Sequence, residues 1–174
     1  TLDRSSAASD VYKRQFLQGK RAAFNDPMAP FIPAHVTLLG PTEVPLADFA
    51  RLGDHLSAVA AAIDEFEMVL RGTGTFRPVS DVVFVQVAQG ISACEALERS
   101  IRSGEWHQDL TFPYHPHVTV AHDVDEGDLD RAFEDLADFH ARFTVAQIWL
   151  FVQGASGAWS PLRSFPLRRR GAPS

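Results

Sequence analysis

The sequence predicts a mixed α and β domain built from one unit used twice, and three observations predict it. Pro, His, Val and Thr recur in "PAHVTLLG" (Pro33 to Gly40) and "PHVTVAH" (Pro116 to His122), which sets His35 and His117 82 residues apart. Each motif is followed by an apolar period of three and four residues and then by a β-rich run. At 174 residues the chain is long enough for one sizeable core and short for two independent ones.

Taken in order, residues 1 to 15 are rich in Ser and Ala without an apolar period, and they are expected to form a disordered or non-native tail. The domain proper is expected over 16–168, with a short basic tail at 169–174. "YKRQFLQGKRAAF" is the first candidate helix. After the first motif, Leu46, Phe49, Leu52, Leu56, Val59 and Ile63 mark an amphipathic helix. "FEMVLR" (Phe66 to Arg71) and "VVFVQVA" (Val82 to Ala88) carry the β-branched and aromatic residues that suit pleated surfaces, with "GTGTFRPVSD" as the loop between them.

Ser92 and Glu95 fit a capping box opening a third helix through Cys94, Leu97 and Ile101. Beyond the second motif, Leu129, Phe133 and Leu136 repeat the helical spacing. "FTVAQIWLFV" (Phe143 to Val152) reads as one long strand, and a shorter one closes the chain near Phe165 to Leu167. Shifting Val82 to Ala88 back by the repeat lands on the first residues, which lack strand character, so the first unit is expected to want a strand.

Composition narrows the function. Hydrophobic residues at 45% and charged residues at 22% are those of an ordinary globule, and no apolar run approaches a membrane span. A net charge of -6 argues against a protein that coats long nucleic acid. Cys94 is the single cysteine, expected to be a small buried apolar residue, and a reducing cytoplasm suits such a chain.

Strand side chains alternate, so His35 shares a face with Thr37 and His117 with Thr119, while Val36, Leu38, Val118 and Val120 point to the core. Two such pairs facing one cleft suit phosphodiester chemistry. A neutral imidazole takes a proton from the nucleophile, a protonated one gives a proton to the leaving oxygen, and the hydroxyls bond the phosphoryl oxygens. No metal or other cofactor is required. His55, His107 and His140 read as structural. The competing enzyme reading is a metal site on His115 and His117, which needs further ligands. The competing non-catalytic reading is a module that binds a nucleotide or RNA end.

"PAHVTLLGPT" and "YHPHVTVAH" resemble the paired His-x-Thr motifs of the two-histidine (2H) phosphoesterases, the superfamily of the 2'-5' RNA ligases and cyclic nucleotide phosphodiesterases. The resemblance runs over roughly residues 20 to 168 and takes in "GTGTF" and "GAWSPLRSFPL". It implies a bilobal α+β fold with pseudo-two-fold symmetry: two antiparallel sheets, helices outside and a central cleft. It further implies His35 and His117 as the acid-base pair and Thr37 and Thr119 as phosphate-binding hydroxyls. The substrate it implies is a small nucleotide or RNA terminus bearing a 2',3'-cyclic phosphate or a 2'-5' linkage, acted on without metal; the chain itself is expected to be a monomer. Phe76 and Tyr114 are candidates to stack on a base, and Arg77 is a candidate phosphate contact.

Overall fold

The computed structural model describes residues 8–169 and 171. The chain is α+β, with one four-stranded antiparallel sheet and one two-stranded antiparallel sheet. Helix α1 (Ala8–Ala23) leads into the first motif, and helix α2 (Phe49–Ala62) follows it after a short 3-10 turn at Leu46–Asp48. Strands β1 (Phe66–Thr75) and β2 (Val82–Gln89), helix α3 (Ile91–Ile101) and strand β3 (His117–His122) come next. Helix α4 (Glu126–Asp135) and strands β4 (His140–Val145), β5 (Gln147–Gln153) and β6 (Trp159–Pro166) complete the order.

The larger sheet runs β3-β2-β1-β4 and the smaller one pairs β5 with β6. Helices α1 and α4 pack on the larger sheet, whereas α2 packs on α3 and on β6. Val118 and Val120 are core residues on β3, Val82 to Val85 are buried on both faces of β2, and Leu52, Leu56 and Ala60 form the inner stripe of α2. Cys94 lies in the same core, and burial pushes its thiol pKa up to about 12, so it behaves as an apolar side chain.

Six boundaries differ from the sequence reading, the first being the closing strand, expected near Phe165 to Leu167 and found as β6 from Trp159 because it pairs with β5 along its whole length. Residues 8 to 15, expected in the tail, form the first half of α1, while residues 1 to 7 lie outside the described residues, as does the place of the wanted first strand. The first motif is an extended segment with a single bridge at Val36 and no ladder. "GTGT" belongs to β1, where Gly74 and Thr75 pair with Phe84 and Val83. The long run from Phe143 breaks at Ala146, whose carbonyl accepts from Leu167 N, so β4 joins the larger sheet and β5 the smaller. Helix α3 starts from Gly90 at φ 100 without a side-chain cap, which places Ser92 inside the helix and removes the capping box.

At the chain's end Arg168 is bridged to Asp64, with Nε 2.5 Å from Oδ1, and its backbone N–H donates to Ile63. Among the described residues no helix is long and apolar enough to cross a membrane.

Candidate active site

Both motif histidines are held in the same way. His35 Nδ1 lies 2.7 Å from the carbonyl of Pro33, and His117 Nδ1 lies 2.7 Å from the carbonyl of His115. A carbonyl only accepts, so each Nδ1 carries the hydrogen, and Nε2 of each ring is left to act on a ligand. This two-residue backward bond is a local device shared by the two motifs. The alternation expected around His35 also holds: Val36 and Leu38 are buried, and His35 and Thr37 are half-buried. Neither the Thr37 nor the Thr119 hydroxyl is engaged by another side chain or backbone group among the described residues.

The larger sheet supplies the setting of His117. Gly74 pairs with Phe84 and Phe84 with Thr119, one row across three strands, and His117 pairs with Gln86 two residues along. The Phe76 ring meets His117 edge-on at 5.0 Å, and Phe84 lies 5.1 Å from it. Phe76 therefore packs against a motif histidine and against Phe84 at 4.5 Å. His115 is exposed, 6.0 Å from His117 between ring centres, and among the described residues no third His, Cys, Asp or Glu joins them as a metal cluster.

The smaller sheet and α2 supply the setting of His35. A cavity of about 330 Å³ is lined by His35 and Thr37, by the aromatic rings of Trp149, Phe151 and Trp159, and by Arg21. His117 and Thr119 are not in its wall, so the cleft expected between the motifs is walled here from the first-motif side. What ties the two motifs is Tyr114, whose hydroxyl donates to the Thr37 carbonyl at 2.9 Å. Tyr114 is thus a clamp between the segments and part of the core edge, with burial pushing its phenol pKa upward. Arg77 is engaged by Asp130 at 2.8 Å. The aromatic cavity wall and Arg21 had no motif to mark them in the sequence.

Electrostatics connects the two rings. Burial depresses the His35 pKa from the ordinary 6.5 to about 4, opposed by its bond to Pro33 and assisted by the positive charges of Arg21 and His117. The His117 pKa is also lowered, first by burial and then by the neighbouring His115. At neutral pH both imidazoles are hence held neutral until an anion enters.

The depressed His35 pKa has a consequence for stability. Between pH 6.5 and about 4 the unfolded chain takes up a proton that the folded chain refuses, so stabilisation present above 6.5 is lost as the pH falls. The shift corresponds to about 3 kcal/mol at full expression, and screening at the cavity mouth reduces the expected loss to about 1–2 kcal/mol. Melting curves of the parent and of His35→Gln at pH 7 and pH 4.5 give this difference directly. Equal acid sensitivity of the two would show that His35 does not titrate this way.

Comparison with known proteins bears on the family and the fold. The model of the 2'-5' RNA ligase superfamily matches residues 7–157. A protein of Oceanobacillus iheyensis named as a candidate phosphoesterase is 24% identical over 146 residues, covering 83% of this chain and 85% of that protein. Another, from Geobacillus kaustophilus, is 24% identical over 136 residues, covering 77% and 78%. Among solved structures, E. coli LigT in its apo form superposes with a TM-score of 0.62 at 19% identity, over 96% of this chain and 94% of that one. LigT complexed with 3'-AMP gives 0.59 at 18% identity, over 86% and 92%. These structural likenesses show the fold.

Proposed function

The chain belongs to the 2'-5' RNA ligase superfamily, and from that premise we propose that it is a phosphodiesterase acting on 2',3'-cyclic phosphates or 2'-5' linkages of nucleotides or RNA ends. The observation that carries the reading is the matched bond of each motif histidine to the carbonyl two residues before it. It leaves two Nε2 atoms, each on a histidine two residues from a threonine whose hydroxyl is unengaged among the described residues. Crystals of LigT with 3'-AMP, NADP+ and ATP support a small nucleotide as ligand. The aromatic cavity wall beside His35 supports a base carried next to the phosphate.

In this reading His35, the more strongly depressed of the two, is the neutral base. Its Nε2 takes a proton from water as the water oxygen bonds to phosphorus. The bond from phosphorus to the leaving ribose oxygen breaks, and protonated His117 delivers the proton from its Nε2 to that oxygen. The incoming phosphate anion supplies the charge that raises His117 into its protonated form. Thr37 and Thr119 donate to the non-bridging oxygens as negative charge gathers on them. One water is consumed and one phosphomonoester and one hydroxyl result.

The experiment is turnover of a 2',3'-cyclic nucleotide, followed by separation of the product monophosphates, with and without EDTA. Turnover unchanged by the chelator is expected, because every proton and phosphate contact in the scheme is made by a side chain. Loss of turnover in EDTA and its return with a divalent ion would favour the His115 and His117 metal site. Binding without turnover would favour the non-catalytic module.

A further inference from the structure

Arg21 is 4% exposed and Asp26 is 3% exposed, which makes them a buried ion pair at the end of α1. Arg21 Nε donates to Asp26 Oδ2 at 2.7 Å, while Asp26 Oδ1 accepts from the Met28 backbone N–H at 2.8 Å. The carboxylate is thereby fixed by the turn that follows the helix, and it fixes the guanidinium in turn. Arg21 also forms part of the wall of the cavity that holds His35 and Thr37, and its charge reaches His35.

A basic residue in the last turn of a helix is favourable to the helix dipole, and that is the structural explanation to beat. Lys20 already occupies the same turn, exposed enough to pair with Asp135 at 3.0 Å. A buried ion pair is no more stabilising than apolar residues of the same volume. Stability alone therefore gives little reason to keep a charge here. A guanidinium has five N–H donors in a planar fork, and among the described residues the Asp26 bond is the one its side chain makes. The remaining donors sit on a side chain that walls a cavity beside two groups suited to a phosphate.

We propose that Arg21, oriented by Asp26, is a phosphate-binding residue that forms an anion subsite with His35 and Thr37 on the first-motif side of the cleft. Its ligand is a phosphoryl group, gripped by a fixed fork in a way that a lysine cannot reproduce. The phosphoryl group has two possible sources on a nucleotide, the reacting diester or a further phosphomonoester, and the chemistry of recognition is the same for both. The inference rests on the proposed function for the identity of the substrate but not for the binding of phosphate.

The test uses the full chain in three forms: parent, Arg21→Lys, and the double variant Arg21→Met with Asp26→Asn, which removes both charges while keeping volume. Folding is checked by circular dichroism, and inorganic phosphate binding is measured by calorimetry. Phosphate affinity at least tenfold weaker in the double variant and several-fold weaker in Arg21→Lys is expected. Turnover is then compared on a 2',3'-cyclic nucleotide with and without a 5'-phosphate. A rise in KM on both substrates assigns Arg21 to the diester, and a rise on the 5'-phosphorylated one alone assigns it to the second phosphate. Phosphate affinity within twofold of the parent in the folded double variant overturns the proposal, as does unchanged affinity in Arg21→Lys should the double variant not fold. A parent that binds phosphate through Arg21 yet turns over no cyclic nucleotide would sink the proposed function and leave this subsite standing.

Discussion

Replacing either His35 or His117 by Ala lowers kcat on a 2',3'-cyclic nucleotide by about 100- to 10,000-fold, the usual contribution of one general acid or base. The double variant is scarcely slower than either single one, because an acid and a base that act in one transition state fail together. Stability moves little, since each ring is half-buried and its Nδ1 bonds only to a nearby carbonyl. Burial of His35 is relieved by the change, so its variant holds up better in acid. Steady-state rates with matched melting curves make the check. Turnover like that of the parent in either single variant would remove that histidine from the mechanism.

Gly74→Ala damages the second motif without touching it. A β-carbon at residue 74 would lie 2.6 Å from Phe84 Cε2 and 2.7 Å from Cζ, well inside contact distance. The Phe84 ring is 4% exposed and is braced by Phe76 and by the rings of His115 and His117, so it yields only by pushing His117. Overpacking of this kind costs about 1–3 kcal/mol. A loss of kcat of about tenfold or more is expected, from displacement of an acid-base group. Restoring room with Phe84→Leu in the Gly74→Ala background should recover part of both. A folded, fully active Gly74→Ala protein would mean that the aromatic box does not position His117.

Legibility in the sequence followed the range of the interactions. The helix through Leu52, Leu56 and Val59 and the strand from Val82 are written in local periodicity, and both form where that periodicity places them. The paired His-x-Thr motifs were legible because repetition at one offset is a signal that single residues lack. The break at Ala146 was not, since "FTVAQIWLFV" contains neither Gly nor Pro, and the bend depends on a bond from Leu167 twenty-one residues away. Gly72 and Gly74 read as a turn, yet β1 carries through them because β2 offers a ladder at Thr73, Gly74 and Thr75, beyond the point where pairing with β4 ends at Arg71. Arg21 and Asp26 carry no spacing rule at all; only the cavity reveals them. The α1 start was missed because its first turn is polar and its stability comes from packing on β3 and β4.

The order in which the chain visits its two sheets has a topological meaning. It goes from α1 on the larger sheet to the first motif and α2 on the smaller, returns through β1 and β2, leaves again for α3, comes back for β3, α4 and β4, and finishes in β5 and β6. No single cut yields two pieces that each own a complete half, so the halves are woven and not tethered. Several crossings therefore join the two sheets, and the β4 to β5 crossing at Ala146 is the shortest of them. The Tyr114 hydroxyl on the Thr37 carbonyl adds a direct bond between the two woven halves.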